Sequence, residues 1–174
     1  MGWTAPRTWA DSEVPNAATM NAHIPDNVNA LRWSFAYNFT DVSMSSPTTP
    51  LFDHPELHIP VGTNEVWLFQ ASILITGIQG MSITWKGPPS SSGSFTQMSM
   101  VDGAGWAGAG ARETALGTTA GPVYGGTVVI ACIATTGTLI TTVPGELQFA
   151  FAPYVVDVPV AVKQGSWLIA QRLA

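Results

Sequence analysis

The sequence predicts a mainly β protein in which short antiparallel strands form a sandwich, a jelly roll or a barrel. Apolar residues alternate with period two in most segments after residue 50, as they do in strands that bury one face. Clusters of Gly, Pro and Ser separate these segments at short intervals, with no helical pattern between them. Charged residues make up only 10% of the 174 residues, whereas roughly 25% is usual in soluble proteins.

Residues 1–45 form the first predicted unit, an arm of mixed polar sequence. The segment from Trp3 to Trp9 is expected to be extended, because Pro6 disfavours the helical conformation in the residue before it. Such a short segment has no core of its own. We therefore expect the arm to lie on the surface of another protein, with its tryptophans filling pockets there.

One or two short helices are predicted within this arm. The first would begin after Asn16, a suitable N-cap, and would carry Met20 and Ile24 on one face. Pro25 is expected to break or kink it, because proline lacks the amide hydrogen that a helix interior requires. A second short helix could follow, through residue 33.

Residues 46–174 form the second predicted unit and contain the strands. The segment 65–76 is apolar on both faces, with Leu68 and Leu74 on the face opposite its aromatic residues. A sandwich covers only the inner face of such a strand, so its outer face is expected to contact another chain. Further strands are predicted over residues 81–85, 94–101, 127–135, 146–152 and 166–173, with a turn at 163–165.

The charge deficit also predicts an oligomer. No Asp, Glu, Lys or Arg occurs between Thr114 and Gly145, and charged residues are depleted where subunits meet. A membrane protein is disfavoured because there is no run of eighteen apolar residues. A surface coated with Ser and Thr remains the other alternative. The residues predicted to form the subunit interface share uncharged strand faces; they are Leu68, Leu74, Val128, Ile130 and Cys132.

Several classes of function are disfavoured by charge and cysteine content. The net charge is −5 and there is no basic cluster, so neither nucleic acid nor a membrane is expected as a partner. Cys132, the single cysteine, cannot form an intrachain disulfide. The first residues lack the apolar region of a secretory signal, and none is expected.

The sequence predicts no enzyme, no metal site and no cofactor. His54 and His58 lie four residues apart in an extended segment, which would place them on one strand face at about 13 Å, too far to share an ion. They could still meet their counterparts at a symmetry axis. The acidic residues single out no catalytic pair, and the glycine-rich segments lack the lysine of a phosphate loop.

A carbohydrate-binding role is the competing interpretation, because seven tryptophans are present. Trp67 and Trp85 lie on apolar strand faces and are expected in the core. Trp106 lies in a glycine-dense loop and is the candidate ligand contact.

The N-terminal residues resemble a segment of small structural proteins from tailed phages. The resemblance rests on Trp3-Thr-Ala-Pro-Arg-Thr-Trp9, on Glu13-Val14 and on Asn21-Ala-His-Ile24 with Asp26-Asn27, about 30 residues in all. This chain has Pro25 where the family usually carries arginine. The resemblance implies docking on the virion through the arm; the docking residues would be Trp3, Pro6, Arg7, Trp9, Met20, His23 and Ile24.

The C-terminal unit is similar to the trimeric jelly rolls of phage fibre heads and decoration proteins, which are related in fold to tumour-necrosis-factor-like domains. The segments that carry this similarity are 65–71, 145–151 and 165–173. The resemblance implies an antiparallel jelly-roll β-sandwich of about 8–10 strands and assembly as a homotrimer. It implies no catalytic residues.

Together these expectations describe a homotrimeric virion protein on the outer surface of a capsid or tail. Its partners would be further copies of itself and the major capsid protein or tail proteins. Capsid decoration is favoured because the sequence has no long fibre shaft and no extended repeat. A minor tail or tail-fibre protein that binds a host surface glycan is the alternative.

Overall fold

The structure, a computed structural model, describes residues 16, 18, 20, 33–45, 50–77, 80–101, 112–123, 131–155 and 157–173. Twelve strands lie within these residues. They are β1 (Trp33–Tyr37), β2 (Val42–Met44), β3 (Phe52–Val61), β4 (Val66–Thr76), β5 (Met81–Lys86), β6 (Ser92–Val101), β7 (Arg112–Ala115), β8 (Ala120–Val123), β9 (Ala131–Ile140), β10 (Gly145–Pro153), β11 (Val160–Val162) and β12 (Trp167–Arg172).

The strands form two sheets. Sheet A has the order β1-β12-β4-β9-β6-β7, with β11 joining β2 to β4. Sheet B has the order β3-β10-β5-β8. Every strand pair is antiparallel. The prediction of a mainly β chain with antiparallel sheets is therefore confirmed.

Strand pairing follows a simple rule along the chain. The first strand pairs with the last, the second with the second last, and so on to β6 and β7 in the middle. The described chain is thus a series of nested antiparallel pairs, distributed over two sheets. Most contacts that hold it together are consequently long-range in sequence.

One hydrophobic core lies between the sheets. The ring of Phe69 on β4 of sheet A lies 5.1 Å from that of Trp85 on β5 of sheet B, measured between centroids. Trp85 in turn lies 5.0 Å from Phe149 on β10. Trp67 and Trp85 are both buried, at 7% and 0% exposure, as their strand positions predict. Burial of such large apolar side chains is the main stabilising contribution to the fold.

Sheet A begins earlier in the chain than the predicted unit boundary at residue 45. Strand β1 pairs with β12 and β2 pairs with β11, so residues 33–44 belong to the sheet. Trp33, at the end of the second predicted helix, lies instead in a strand. The division into an arm and a β unit stays a prediction.

Of the predicted first helix, the structure describes only Asn16, Ala18 and Met20. The amide of Met20 donates to the carbonyl oxygen of Asn16 at 2.9 Å, the spacing of an α-helical turn. The remainder of that helix and the Trp3–Trp9 segment lie outside the described residues.

Where the structure describes them, the segments predicted as strands are extended, with shifted ends; residues 127–130 lie outside the described residues. Four strands of three or four residues, β2, β7, β8 and β11, raise the number above the predicted range. The predicted turn at 163–165 is confirmed: the amide of Ser166 donates to Lys163 O at 3.3 Å. Gly165 has φ +93° there, a conformation that favours glycine.

Candidate interaction surface

The outward side of sheet A carries no charged residue over five adjacent strands. Backbone register aligns the outward positions of β1, β12, β4, β9 and β6, and none of them is buried. We call this surface the uncharged face. Its residues are Trp33, Phe35, Tyr37, Trp167, Ile169, Gln171, Val66, Leu68, Gln70, Ser72, Leu74, Cys132, Ala134, Thr136, Thr138, Ile140, Ser92, Ser94, Thr96 and Met98.

The composition of the face changes from edge to centre. One row across the sheet runs through Phe35, Ile169, Gln70, Thr136 and Thr96. In this row the large apolar side chains lie on β1 and β12, whereas uncharged polar ones lie on β4, β9 and β6. In the register of the next strand, β7, Glu113 pairs with Thr96, so the uncharged row of residues ends at β6.

An aromatic strip forms the β1 edge of the face. Trp33, Phe35, Tyr37 and Phe39 alternate along the chain, and the rings of the last three are in contact. The Phe35 and Tyr37 centroids are 6.1 Å apart, and those of Tyr37 and Phe39 are 4.9 Å apart. Trp33, Phe35 and Phe39 are 50%, 63% and 67% exposed. Aromatic surface exposed to this extent is typical of a surface that binds a partner.

The centre of the face is weakly polar. The hydroxyl of Ser72 lies 3.3 Å from Cys132 Sγ, so the polar groups in the middle partly satisfy one another. Leu68 and Leu74 of β4 are half-buried beside them. Such a surface offers apolar contact with little desolvation cost, because it holds no charge that must lose its water.

Three exposed pairs of ionisable side chains lie away from the face. Lys86 pairs with Asp53 on sheet B, and Lys163 pairs with Asp41 in the loops beside β11. His58 Nδ1 lies 3.1 Å from Glu146 Oε1, also on sheet B. Exposed pairs of this kind contribute little to stability. Their position shows that charge is segregated away from the uncharged face.

Glu65 and Arg172 form a less exposed ion pair, with side-chain exposures of 16% and 11%, and it lies at one end of sheet A. The Glu65 carboxylate accepts hydrogen bonds from Arg172 at 2.9 Å, from the Trp67 indole at 3.0 Å and from the amide of Gly62. Thr141 Oγ1 joins the group, accepting from the amide of Glu65 at 2.9 Å. Burial alone would raise the pKa of Glu65, but the three donors outweigh it and lower that pKa.

The structure brings three of the predicted interface residues to one surface. Leu68, Leu74 and Cys132 all lie on the uncharged face, and Leu74 is directly opposite Cys132 in the register. Val128 and Ile130 lie outside the described residues. So does Trp106, the candidate ligand contact.

The predicted docking residues of the arm lie outside the described residues, with one exception. The docking residues outside the described part of the chain are Trp3, Pro6, Arg7, Trp9, His23 and Ile24. The exception, Met20, is 37% exposed.

The prediction that His54 and His58 share a strand face is wrong. Gln148 of β10 pairs with His58 of β3, and Ala150 pairs with Asp53. Strand β3 has more residues between these two pairs than β10 has, and its extra residues form a bulge. His54 points into the protein with 1% exposure, and His58 lies at the surface. That histidines meet at a symmetry axis stays a prediction. Within the described residues, no three His, Cys, Asp or Glu side chains are placed to hold a metal ion.

The aromatic strip is the feature that sequence analysis missed. The period-two alternation from Trp33 to Phe39 could have indicated it, but residues 1–45 were expected to be an arm outside the sheet. In the parts of the chain that the structure describes, no helix is long and apolar enough to cross a bilayer.

The fold and the uncharged face define a mainly antiparallel β protein with two facing sheets, one of which has an unpartnered surface. No protein-family model and no curated protein sequence matches the chain. Two solved structures of infectious bursal disease virus are similar to it. The Gx strain structure has 11% identity and a TM-score of 0.22, covering 81% of this chain and 40% of that chain. The Gt strain structure has 11% identity and a TM-score of 0.23, covering 83% of this chain and 38% of that chain. The chain thus spans about two fifths of the length of those proteins.

Proposed function

We propose that this chain is a virion structural protein of a tailed phage, which assembles as a homotrimer and decorates the outside of the particle. The observation that carries the proposal is the uncharged face of sheet A. A surface rich in exposed aromatic and aliphatic side chains and free of charge is suited to lasting contact between subunits, and poorly suited to permanent exposure to water.

A jelly-roll topology is part of this proposal. A jelly roll is a long antiparallel hairpin rolled over two sheets. The nested pairing of β1 with β12 through to β6 with β7 supports it, as does the alternation between the two sheets of the four pairs from β3–β10 to β6–β7. The number three comes from the resemblance to trimeric phage jelly rolls, since an apolar face requires a partner without fixing how many copies assemble.

Two copies could meet through the uncharged face in either of two ways. In an isologous contact both copies use the same residues, which gives a dimer. In a heterologous contact they use different residues, and a trimer forms when such contacts close into a ring. The aromatic strip at one edge and the small side chains around Thr136 at the centre favour contact of edge against centre. In a ring, each copy then presents its β1 edge to the next copy and receives another edge on its own centre. Leu68, Leu74 and Cys132 would be buried at these contacts.

Attachment to the virion is assigned to the arm. The resemblance of Trp3–Trp9 and of the following residues to phage structural proteins supports docking there, on the major capsid protein or a tail protein. Aromatic side chains that enter pockets commonly supply most of the binding energy at such contacts. No cofactor, metal or catalytic group has a part in this mechanism, which acts by burying surface.

The location on the particle is tested by electron microscopy of particles that carry gold-labelled protein. Decoration predicts label distributed over the capsid surface. Label confined to the tail would contradict decoration and favour a minor tail or fibre protein. A stabilising role is tested separately by heating particles with and without the protein: equal DNA release from both would rule that role out.

A second candidate function is binding of a host surface glycan by a tail protein. The exposed aromatic strip adds to Trp106 as a surface on which sugar rings could stack. Substituting Trp106 with alanine, and in a second variant Phe35 with alanine, should lower adsorption to host cells if this function is correct. Unchanged adsorption for both variants would exclude it.

A further inference from the structure

The buried imidazole of His54 is held in a way that depends on its being neutral. Its Nδ1 accepts hydrogen bonds from the amides of Glu56 and Leu57, each at 3.2 Å. Both amides belong to the bulge in β3. An Nδ1 that accepts two hydrogen bonds carries no proton, so the single proton of the neutral ring lies on Nε2.

The surroundings of His54 are mainly apolar, and among them only the Glu56 carboxylate favours a positive charge on the ring. The ring is 1% exposed and lies 6.4 Å and 6.0 Å from the rings of Phe149 and Phe151, centroid to centroid. Its Nε2 is buried and has no hydrogen-bond partner. Burial among apolar groups lowers the pKa of His54 to about 4, with His58 adding to the effect and Glu56 opposing it.

Charged groups on the elements packed against β3 are engaged elsewhere. Asp53 pairs with Lys86 of β5, His58 with Glu146 of β10, and Arg172 of β12 with Glu65. Strand β1 contributes only Tyr37 as a titratable group. Glu56 is the nearby carboxylate, and its Oε2 accepts a hydrogen bond from the amide of Phe39 at 2.7 Å.

We propose that His54 is a pH-sensitive switch: when its ring is protonated, the β3 bulge opens and Glu56 releases the end of the aromatic strip. Protonation turns Nδ1 from an acceptor into a donor that faces two amide donors, so both hydrogen bonds are lost. The charged ring must then leave the apolar core to reach water. Glu56 moves with the bulge because its own amide is one of the two donors, and Phe39 loses its partner.

The switch is a property of the single chain and does not depend on the proposed trimer. It connects acidification to the β1 edge of the uncharged face, because Phe39 is the last ring of the aromatic strip. For a ring with pKa 6.5 when exposed and about 4 when buried, the opening equilibrium should rise roughly 30-fold from about pH 7.5 to about pH 5.

Amide hydrogen exchange of the full chain tests the switch. Protection factors, corrected for the intrinsic pH dependence of exchange, should fall by roughly 30-fold for Leu57 and Phe39 in the wild-type protein over that range. His54→Asn keeps an acceptor at the Nδ1 position but does not titrate, so its protection factors should not change with pH. The control His58→Asn, at a surface histidine, should retain the pH-dependent loss of protection. A pH-dependent loss that persists in His54→Asn would overturn the proposal.

A second variant separates the bulge from its coupling to β1. In Glu56→Ala, the Phe39 amide should be unprotected at both pH values, while Leu57 keeps its pH dependence. If Phe39 retained wild-type behaviour in this variant, the coupling would be wrong. An NMR titration of wild-type His54 provides a check that needs no variant. A ring that titrates near 6.5 without any change in exchange would overturn the switch itself.

Discussion

Phe69 covers the backbone of Gly137 on the neighbouring strand of sheet A. The two residues are directly opposite in the register, and a Cβ built on Gly137 would lie 2.4 Å from Cζ of the Phe69 ring. The Phe69 ring, which contacts Trp85 of the other sheet, thus occupies the space that a side chain on residue 137 would fill. This glycine leaves room for the Phe69 ring to pack across β9 and against Trp85.

Gly137→Ala should therefore destabilise the protein. The added methyl group must displace both the Phe69 ring and the carbonyl oxygen of Ser94 on β6, which would lie 2.7 Å from it, and overpacking of this kind costs about 1–3 kcal/mol. Chemical denaturation of the variant and the wild type measures the difference. The double variant Phe69→Leu/Gly137→Ala should lose less stability than the sum of the losses in the two single variants, because the smaller leucine side chain makes room for the methyl group. Additive losses would show that the two residues do not interact.

The Glu65 group should make stability depend on acid. The pKa of Glu65 is lowered by folding, so the unfolded chain binds a proton more readily. The stabilisation is complete above the ordinary pKa of glutamate and is lost as the pH falls through the folded pKa. Glu65→Gln should cost about 1–3 kcal/mol at neutral pH, as expected when hydrogen bonds to a charged group are weakened. It should also weaken the dependence of the unfolding free energy on pH below about pH 4.5. An unchanged acid dependence would contradict this role.

A positive charge in the centre of the uncharged face should prevent assembly without harming the chain. Thr136→Lys places an ammonium group where a neighbouring copy would exclude water, and burial of an unpaired charge is strongly unfavourable. Thr142→Lys is the matched control, because Thr142 is exposed in the turn after β9. Sedimentation velocity should show smaller particles for Thr136→Lys alone. The free energies of unfolding of the two variants, measured on dissociated chains, should agree within about 0.5 kcal/mol. Equal sedimentation of the two variants would contradict the assignment of the face.

Cys132 provides a chemical measure of the same contact. The thiol is half-buried in the single chain, next to Ser72 on the uncharged face. In an assembly through this face, it should react with a thiol reagent much more slowly in the wild type than in Thr136→Lys. Equal labelling rates would mean that the surface around Cys132 is open in the assembled protein.

Local patterns carried much of the fold but not its connectivity. The alternation in residues 65–76 was enough to place Trp67 in the core and Leu68 on the opposite face, because a strand has period two whatever its partner. The pairing of β1 with β12 could not be predicted in the same way. The two strands lie at opposite ends of the described chain, and the segment before β1 contained helix signals that assigned Trp33 to the arm.

The errors at His54 have a similar origin. An uninterrupted strand would place His54 and His58 on one face, and nothing in the local sequence reveals how β10 pairs with them. The bulge depends on the pairing of β3 with Gln148 and Ala150 of β10, which lie far along the chain. The uncharged face was predicted in part, from Leu68, Leu74 and Cys132. Its aromatic edge was not, because it depends on β1 joining the sheet.

The central claim, that sheet A assembles copies of this chain into a trimer, is tested most directly by the molar mass of the wild-type protein in solution. Sedimentation equilibrium or light scattering over a range of concentrations gives it without reference to shape. The account predicts three times the 18.3 kDa chain mass, falling to a single chain in Thr136→Lys. A wild-type protein with the mass of one chain at all concentrations would contradict it.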